Sequence, residues 1–125
     1  MKVFVYGTLQ RGRGNNHVLG DAVFLGKAVT VRKFGMVDVG FPFALPNQKL
    51  APVAGELFDI GDDEHTLMRL DRLEAEGRMY DRVKRMVVID GKRRFASMYV
   101  KHGDGRPCGV PVPVNARGHL EWRAA

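Results

Sequence analysis

The stretch "YDRVKRMVVIDGKRRFASMYV", residues 80–100, decides which class of fold this chain can adopt. It reads as two strands, 80–89 and 93–100, meeting around Asp90-Gly91. Asp-Gly between hydrophobic runs signals a tight hairpin, because such turns need backbone with positive φ. Upstream, "AVFLGKAVTVRKFGMVDV" (22–39) is rich in Val and Phe and broken by glycines, the pattern of bent or paired strands. "PVAGELFDI" (52–60) reads as another strand, and residues 2–6 alternate toward a buried one. "GFPFALPN" (40–47) carries prolines that suit an edge or an irregular segment. "NNHVLG" (15–20) is compatible with one helical turn, and the tail 109–123 is irregular with at most a short edge strand.

One substantial helix is expected, in "DDEHTLMRLDRLEAEG" (62–77). Gly61 or Asp62 can cap it, and Asp62, Asp63 and Glu64 put negative charge where the helix dipole favours it. It should run to about Glu74 or Ala75 and stop near Gly77. The strands lack the regular helical spacers of a doubly wound sheet. The fold class is therefore α+β, with a mixed or antiparallel sheet curled into a small barrel.

The chain has 125 residues, the size of a single domain, expected here to span 1–125. Hydrophobic residues make up 45% and charged ones 27%, the balance of a globular protein. No apolar run is long enough to span a membrane, so no membrane association is expected. The chain opens directly on the strand-like "MKVFVYG", without the pattern of a secretory leader. The single cysteine, Cys108, has no internal partner, which suits a reducing compartment and a cytoplasmic location. No sequence feature supplies Cys108 with a base. The net charge of +6 allows a nucleic acid, an acidic surface or an anionic small molecule as partner. His17, His65, His102 and His119 are scattered without metal-site spacing, and no nucleotide motif appears. Neither a metal nor another cofactor is expected.

On a helical wheel with about 100° per residue and Leu67 at zero, Leu70 falls near 300° and Leu73 near 240°, an apolar stripe. Arg69, Arg72 and His65 lie opposite. Glu74 falls at about 340°, between Leu67 and Leu70, and Asp71 sits on the rim at about 40°. Glu76 would point outward. A carboxylate on the buried face needs a partner or a raised pKa. Two readings follow: a structural glutamate paired with an arginine such as Arg82, or a general acid/base in a pocket at the helix end, with Asp71 the second choice.

The loop "YGTLQRGRG" (6–14) leaves similar alternatives. It is neither a Walker A nor a G-x-G-x-x-G motif. It is a plain tight turn or a nest of backbone N–H groups for an oxygen-bearing ligand.

Taken together, these segments resemble the γ-glutamylcyclotransferase-like, or AIG2-like, family. "VFVYGTLQRG" is similar to its first strand and Tyr-Gly-Ser/Thr-Leu loop. "LDRLEAEGRMYDR" (70–82) is similar to its Leu-Asp-x-x-Glu segment followed by Tyr-x-Arg. "GFPFALP", "VAGELFDI", "ASMYV" and "GHLEW" match further stretches in order. The resemblance implies a small β-barrel with flanking helices and an enzyme that releases 5-oxoproline and a free amine from γ-glutamyl compounds. The compact chain resembles the branch acting on γ-glutamylamines or γ-glutamyl-modified small molecules more than the larger glutathione-pathway enzymes. It implies Glu74 as the catalytic residue and Tyr6, Gly7, Thr8 and Leu9 as the loop that holds the γ-glutamyl group. Tyr80, Arg82 and Tyr99 line or brace the pocket. Ala75 departs from the pattern, since many members have glycine there, and "RGRG" is an insertion-like rim.

The implied partner is a γ-glutamyl small molecule, bound by a monomer or homodimer. Two other readings compete. Lys84, Arg85, Lys92, Arg93 and Arg94 could form a basic face on the hairpin, but exposed aromatic residues are not evident around it, so nucleic acid is not expected. A non-catalytic binding domain of the same fold is the other.

Overall fold

The computed structural model describes residues 1–105 and 108–123. Seven strands and one α-helix follow in the order β1 (Lys2–Val5), β2 (Val23–Asp38), β3 (Pro42–Leu45), β4 (Ala51–Asp59), α1 (Glu64–Leu73), β5 (Tyr80–Ile89), β6 (Lys92–Lys101) and β7 (Val110–Pro111). A 3₁₀ turn, Asn16–Leu19, precedes β2. Five strands close a barrel in the order β2-β4-β1-β6-β5, and β5 pairs back onto β2 through Val29↔Val88 and Thr30↔Val87. Only β1–β6 is parallel, so the barrel is mixed. The far end of β2 leaves the barrel to pair with β3 and β7.

The hairpin forms where the sequence places it. β5 and β6 pair in unbroken register from Tyr80↔Lys101 to Ile89↔Lys92, and Asp90 and Gly91 both take positive φ, 50° and 73°. β2 is one bent strand of 16 residues rather than two, with register irregularities at Phe24/Gly26 and Val29/Lys33 that let it serve both the barrel and the outer pairings. Phe95, on β6, is 60% exposed, so the hairpin does carry a surface aromatic that the sequence pattern did not reveal.

Alternation along β1 separates two cores. Phe4 and Tyr6 enter the barrel interior with Phe34, Met36, Leu57 and Met98. Val3 and Val5 face the other way, toward Leu19, Leu70, Tyr80 and Tyr99. A strand buried on both faces reads as a continuous apolar run, which is why "VFVY" lacks a polar side.

The helix is shorter than its sequence pattern. Asp63, not Gly61 or Asp62, is its cap, accepting from the Thr66 N–H at 3.1 Å and the Thr66 hydroxyl at 2.6 Å. It ends in a Schellman motif: Ala75 N–H donates to the Arg72 carbonyl and Glu76 N–H to the Asp71 carbonyl. The left-handed residue of this motif is Ala75, with φ 48°; the expected Gly77 also takes positive φ, 82°, but two residues later. This stop makes Glu74 the C-cap residue.

Candidate active site

A cavity of about 260 Å³ opens where β1 ends, beside the C-terminus of α1. Its wall includes Val5 through Leu9 on one side and Leu73 and Glu74 on another. Tyr80 and Tyr99, from the start of β5 and the end of β6, complete it with Phe41 and Pro42. The volume lies at or below the low end of pockets built for drug-sized ligands, roughly 300–1,000 Å³.

Glu74 reaches this wall because the Schellman stop turns the chain immediately after it. Among the described residues no donor reaches its carboxyl group. Burial pushes its pKa up from 4.5 to about 7. The negative end of the helix dipole acts in the same direction. The pairing with Arg82 does not form. The Arg82 Nε donates instead to Asp71 Oδ1 at 3.0 Å, and the Tyr99 hydroxyl donates to the same oxygen at 2.6 Å. Asp71, the second-choice acid, is thus committed to a brace behind the cavity. Arg82 stands outside the lining and acts only through that brace.

The tyrosine hydroxyls are also spoken for. Tyr6 donates to the Tyr99 carbonyl at 2.7 Å and accepts from the Ala44 N–H at 3.0 Å. Tyr80 donates to the Pro42 carbonyl at 2.7 Å. Burial drives the pKa of all three tyrosines upward, so each stays a neutral phenol. They tie β1, β3, β5 and β6 together and present ring surface to the cavity.

The loop is shaped by close approach. A Cβ on Gly7 would lie 2.8 Å from Pro42 Cγ. Gln10 N–H donates to the Gly7 carbonyl and Asn15 N–H to the Thr8 carbonyl. Asn15 Nδ2 holds the Thr8 hydroxyl at 2.9 Å, and Asn16 Nδ2 holds the Leu9 carbonyl at 2.9 Å. The N–H groups of Gly7, Thr8 and Leu9 donate to no partner among the described residues. Beyond the loop, Arg11 is pinned: its N–H donates to Glu56 Oε1 at 2.7 Å and its guanidinium sits 3.4 Å from the centre of the Phe24 ring. Arg13 lies over Trp122. The "RGRG" rim is therefore tied to the barrel.

Tyr6, Gly7, Thr8, Leu9, Glu74, Tyr80 and Tyr99 converge on one cavity, and Arg82 supports it from behind. Sequence reasoning missed Asn15, Phe41, Pro42, Leu73 and Met79 in the lining. Only Asn15 carried a signal, a side-chain amide one turn past a glycine loop. Cys108 is exposed and away from the cavity, and among the described residues no cluster of His, Cys, Asp or Glu could hold a metal. No helix of the described residues is long and apolar enough to cross a membrane.

A protein of Methanocaldococcus jannaschii, provisionally named a gamma-glutamylcyclotransferase, is 36% identical over 111 residues, covering 88% of this chain and 89% of the relative. The gamma-glutamylaminecyclotransferase of Bos taurus is 36% identical over 101 residues, 73% of this chain but only 58% of the bovine protein. This chain thus spans less than two thirds of that relative's length. The crystal structure of an AIG2-like protein from Mus musculus superposes with a TM-score of 0.68 at 30% identity, over 81% of this chain and 76% of the mouse chain. The profile of the family described as "Gamma-glutamyl cyclotransferase, AIG2-like" matches residues 3–121, and the chain belongs to that family.

Proposed function

We propose that the protein is a γ-glutamyl cyclotransferase that releases 5-oxoproline and a free amine from a small γ-glutamylamine. The observation that carries this reading is Glu74: a carboxyl with no hydrogen-bond partner among the described residues, tuned to about 7, at the wall of a cavity also lined by Gly7, Thr8 and Leu9, whose N–H groups have no acceptor among those residues.

The reaction needs no nucleophile from the protein. The substrate's α-amine attacks its own γ-carbonyl carbon, a carbon–nitrogen bond closes the five-membered lactam, and the original amide bond breaks. Folding the chain back supplies the effective concentration of an intramolecular attack. Glu74 takes the proton that leaves the α-ammonium group and returns a proton to the departing amine. A carboxyl poised near neutrality serves both directions. The N–H groups of the 7–9 loop hold the substrate oxygens and the charge that develops on the carbonyl oxygen.

The substrate class follows from the lining. Among the described residues it contains no arginine or lysine to meet a carboxylate on the leaving group. Leu73 and Met79, 40% and 42% exposed, contribute apolar surface instead. This favours an amine with a carbon chain over an amino acid or a peptide. The test is a screen of γ-glutamylalkylamines, γ-glutamyl amino acids and glutathione with 5-oxoproline as the readout. Alkylamine derivatives should turn over fastest, and Glu74→Gln should abolish release. Near wild-type release by that variant would remove Glu74 from the mechanism; preference for glutathione would overturn the substrate class.

A further inference from the structure

A separate cavity of about 290 Å³ lies against β2, β5 and the loop after β3. It is lined by Arg32, Lys33, Phe34, Pro46, Lys49 and Arg85. Four of these six are cations, and no acid lines it. The ion pairs of the described residues lie elsewhere, and none uses Arg32, Lys33, Lys49 or Arg85. Arg85 stands five residues past Tyr80 along β5, about 17 Å at the rise of an extended strand, so this is not the Glu74 cavity.

The fold assembles this cluster by a specific device. Val29 pairs with Ala54 and Lys33 with Pro52, so four steps along β2 match two along β4. Thr30, only 2% exposed, closes the resulting bulge: its hydroxyl donates to the Arg32 carbonyl at 2.7 Å and accepts from the Val53 N–H at 2.9 Å. The β2–β5 pairing ends at Thr30↔Val87, and beyond it Arg32 and Arg85 line the same cavity. The Arg32 charge disfavours the charged form of Arg85, as like charges brought together repel. The Arg85 guanidinium gives Nη1 to the Lys84 carbonyl, but its Nε is buried with no partner. A buried donor left open in a native fold calls for a missing acceptor.

We propose that this cavity binds a small polyanion of the phosphate class. Several oxygens on one compact centre can engage the guanidinium of Arg85 and neutralise Arg32, Lys33 and Lys49 together. A nucleic-acid strand is the poorer fit, because the one aromatic residue of the lining, Phe34, is 1% exposed and offers no stacking face.

The full chain is titrated with inorganic phosphate, with pyrophosphate and with a nucleoside triphosphate, at ionic strength held constant with sodium chloride. Thermal unfolding and calorimetry are the readouts. Saturating pyrophosphate should raise Tm by about 5 °C and bind once per chain. Binding should weaken at least tenfold in the double variant Arg32→Gln/Lys49→Gln, whose changes lie outside the Glu74 cavity. Tighter binding of the triphosphate than of pyrophosphate identifies a phosphorylated metabolite; equal binding identifies the inorganic anion. An equal rise with sodium chloride alone, or wild-type affinity in the double variant, overturns the site. A single-stranded RNA oligonucleotide that binds here and that pyrophosphate fails to displace overturns it as well.

Discussion

Replacing Glu74 by glutamine should abolish turnover and, above neutral pH, make the protein more stable. The carboxyl group has its pKa pushed from 4.5 to about 7 by burial. A folded-state value above the unfolded one means that the native protein binds this proton more tightly. The stability it contributes is complete below about pH 4.5 and is lost as pH rises through about 7. At pH 8 the fold holds an ionised, unpartnered carboxylate. At about 1.4 kcal/mol per pH unit, the gap between 4.5 and 7 sets a ceiling of about 3 kcal/mol. The side chain is open to the cavity, so solvent screening reduces the expected cost to about 1–2 kcal/mol. Glutamine keeps the shape and does not titrate. Urea unfolding of both proteins at pH 4, 6 and 8 measures the difference. We expect it to shift by about 1–2 kcal/mol in favour of the variant between pH 4 and pH 8. In parallel, wild-type 5-oxoproline release should rise with pH along a limb centred near 7. A stability difference that is flat from pH 4 to 8 would falsify the account of a carboxyl strained by burial.

Gly7→Ala should lower both activity and stability, because the new Cβ would stand 2.8 Å from Pro42 Cγ and 2.9 Å from Cδ. The overpacking costs about 1–3 kcal/mol, read by thermal unfolding, and the displaced loop should cut 5-oxoproline release at least tenfold. Ala75→Gly should stabilise by about 0.5–1 kcal/mol, since glycine relieves the φ of 48° at the helix stop but adds freedom to the unfolded chain; a destabilised variant in urea titration would contradict the Schellman reading. Asp71→Asn should cost about 1–3 kcal/mol, because the Arg82 guanidinium loses its ionic acceptor and the Tyr99 hydroxyl a charged one. If that variant unfolds at the wild-type urea midpoint, the brace carries no energy.

The parts of the fold legible in the sequence were those governed by local rules. Asp90-Gly91 specified its turn and an acidic first turn located α1; β1 lies where alternation was expected, but as an apolar run buried on both faces. The helix boundaries were less legible. Asp62 and Asp63 are chemically equivalent caps, and only the position of Thr66 selects the second. At the other end Gly77 looked like the natural stop and does take positive φ, 82°, but the helix already turns at Ala75, against a local penalty of about 1–2 kcal/mol. Barrel closure through β2–β5 was not readable, since two pairs over a long sequence separation leave no local trace. In the site, Glu74 was visible as a broken helical pattern and the loop as a glycine turn. Asp71 stood out only as a second-choice acid, and its brace was not legible, because an acid on a helix rim reads the same whether it faces water or Arg82 and Tyr99. Phe41, Pro42, Leu73 and Met79 look like ordinary core or edge residues until β3 and the helix end are brought to the mouth of the cavity.

The site breaks the helix pattern where the helix itself ends, and this placement has a physical rationale. A carboxyl in the middle of α1 could fall back on partners along its own helix, three or four residues away. At the C-cap it is followed by a left-handed turn that carries the chain away. Arg82, the arginine the sequence offered as a partner, is bound by Asp71 at 3.0 Å instead. A guanidinium paired with Glu74 would pull its pKa back down. The tyrosine hydroxyls are likewise committed, to carbonyls and to Asp71, so none donates to the catalytic candidate. Among the described residues the surrounding hydrogen bonds are satisfied among themselves, while Glu74 and the N–H groups of the 7–9 loop have no partner. In the proposed reaction those are the two groups a folded γ-glutamyl chain would engage, one by its amine and the other by its oxygens.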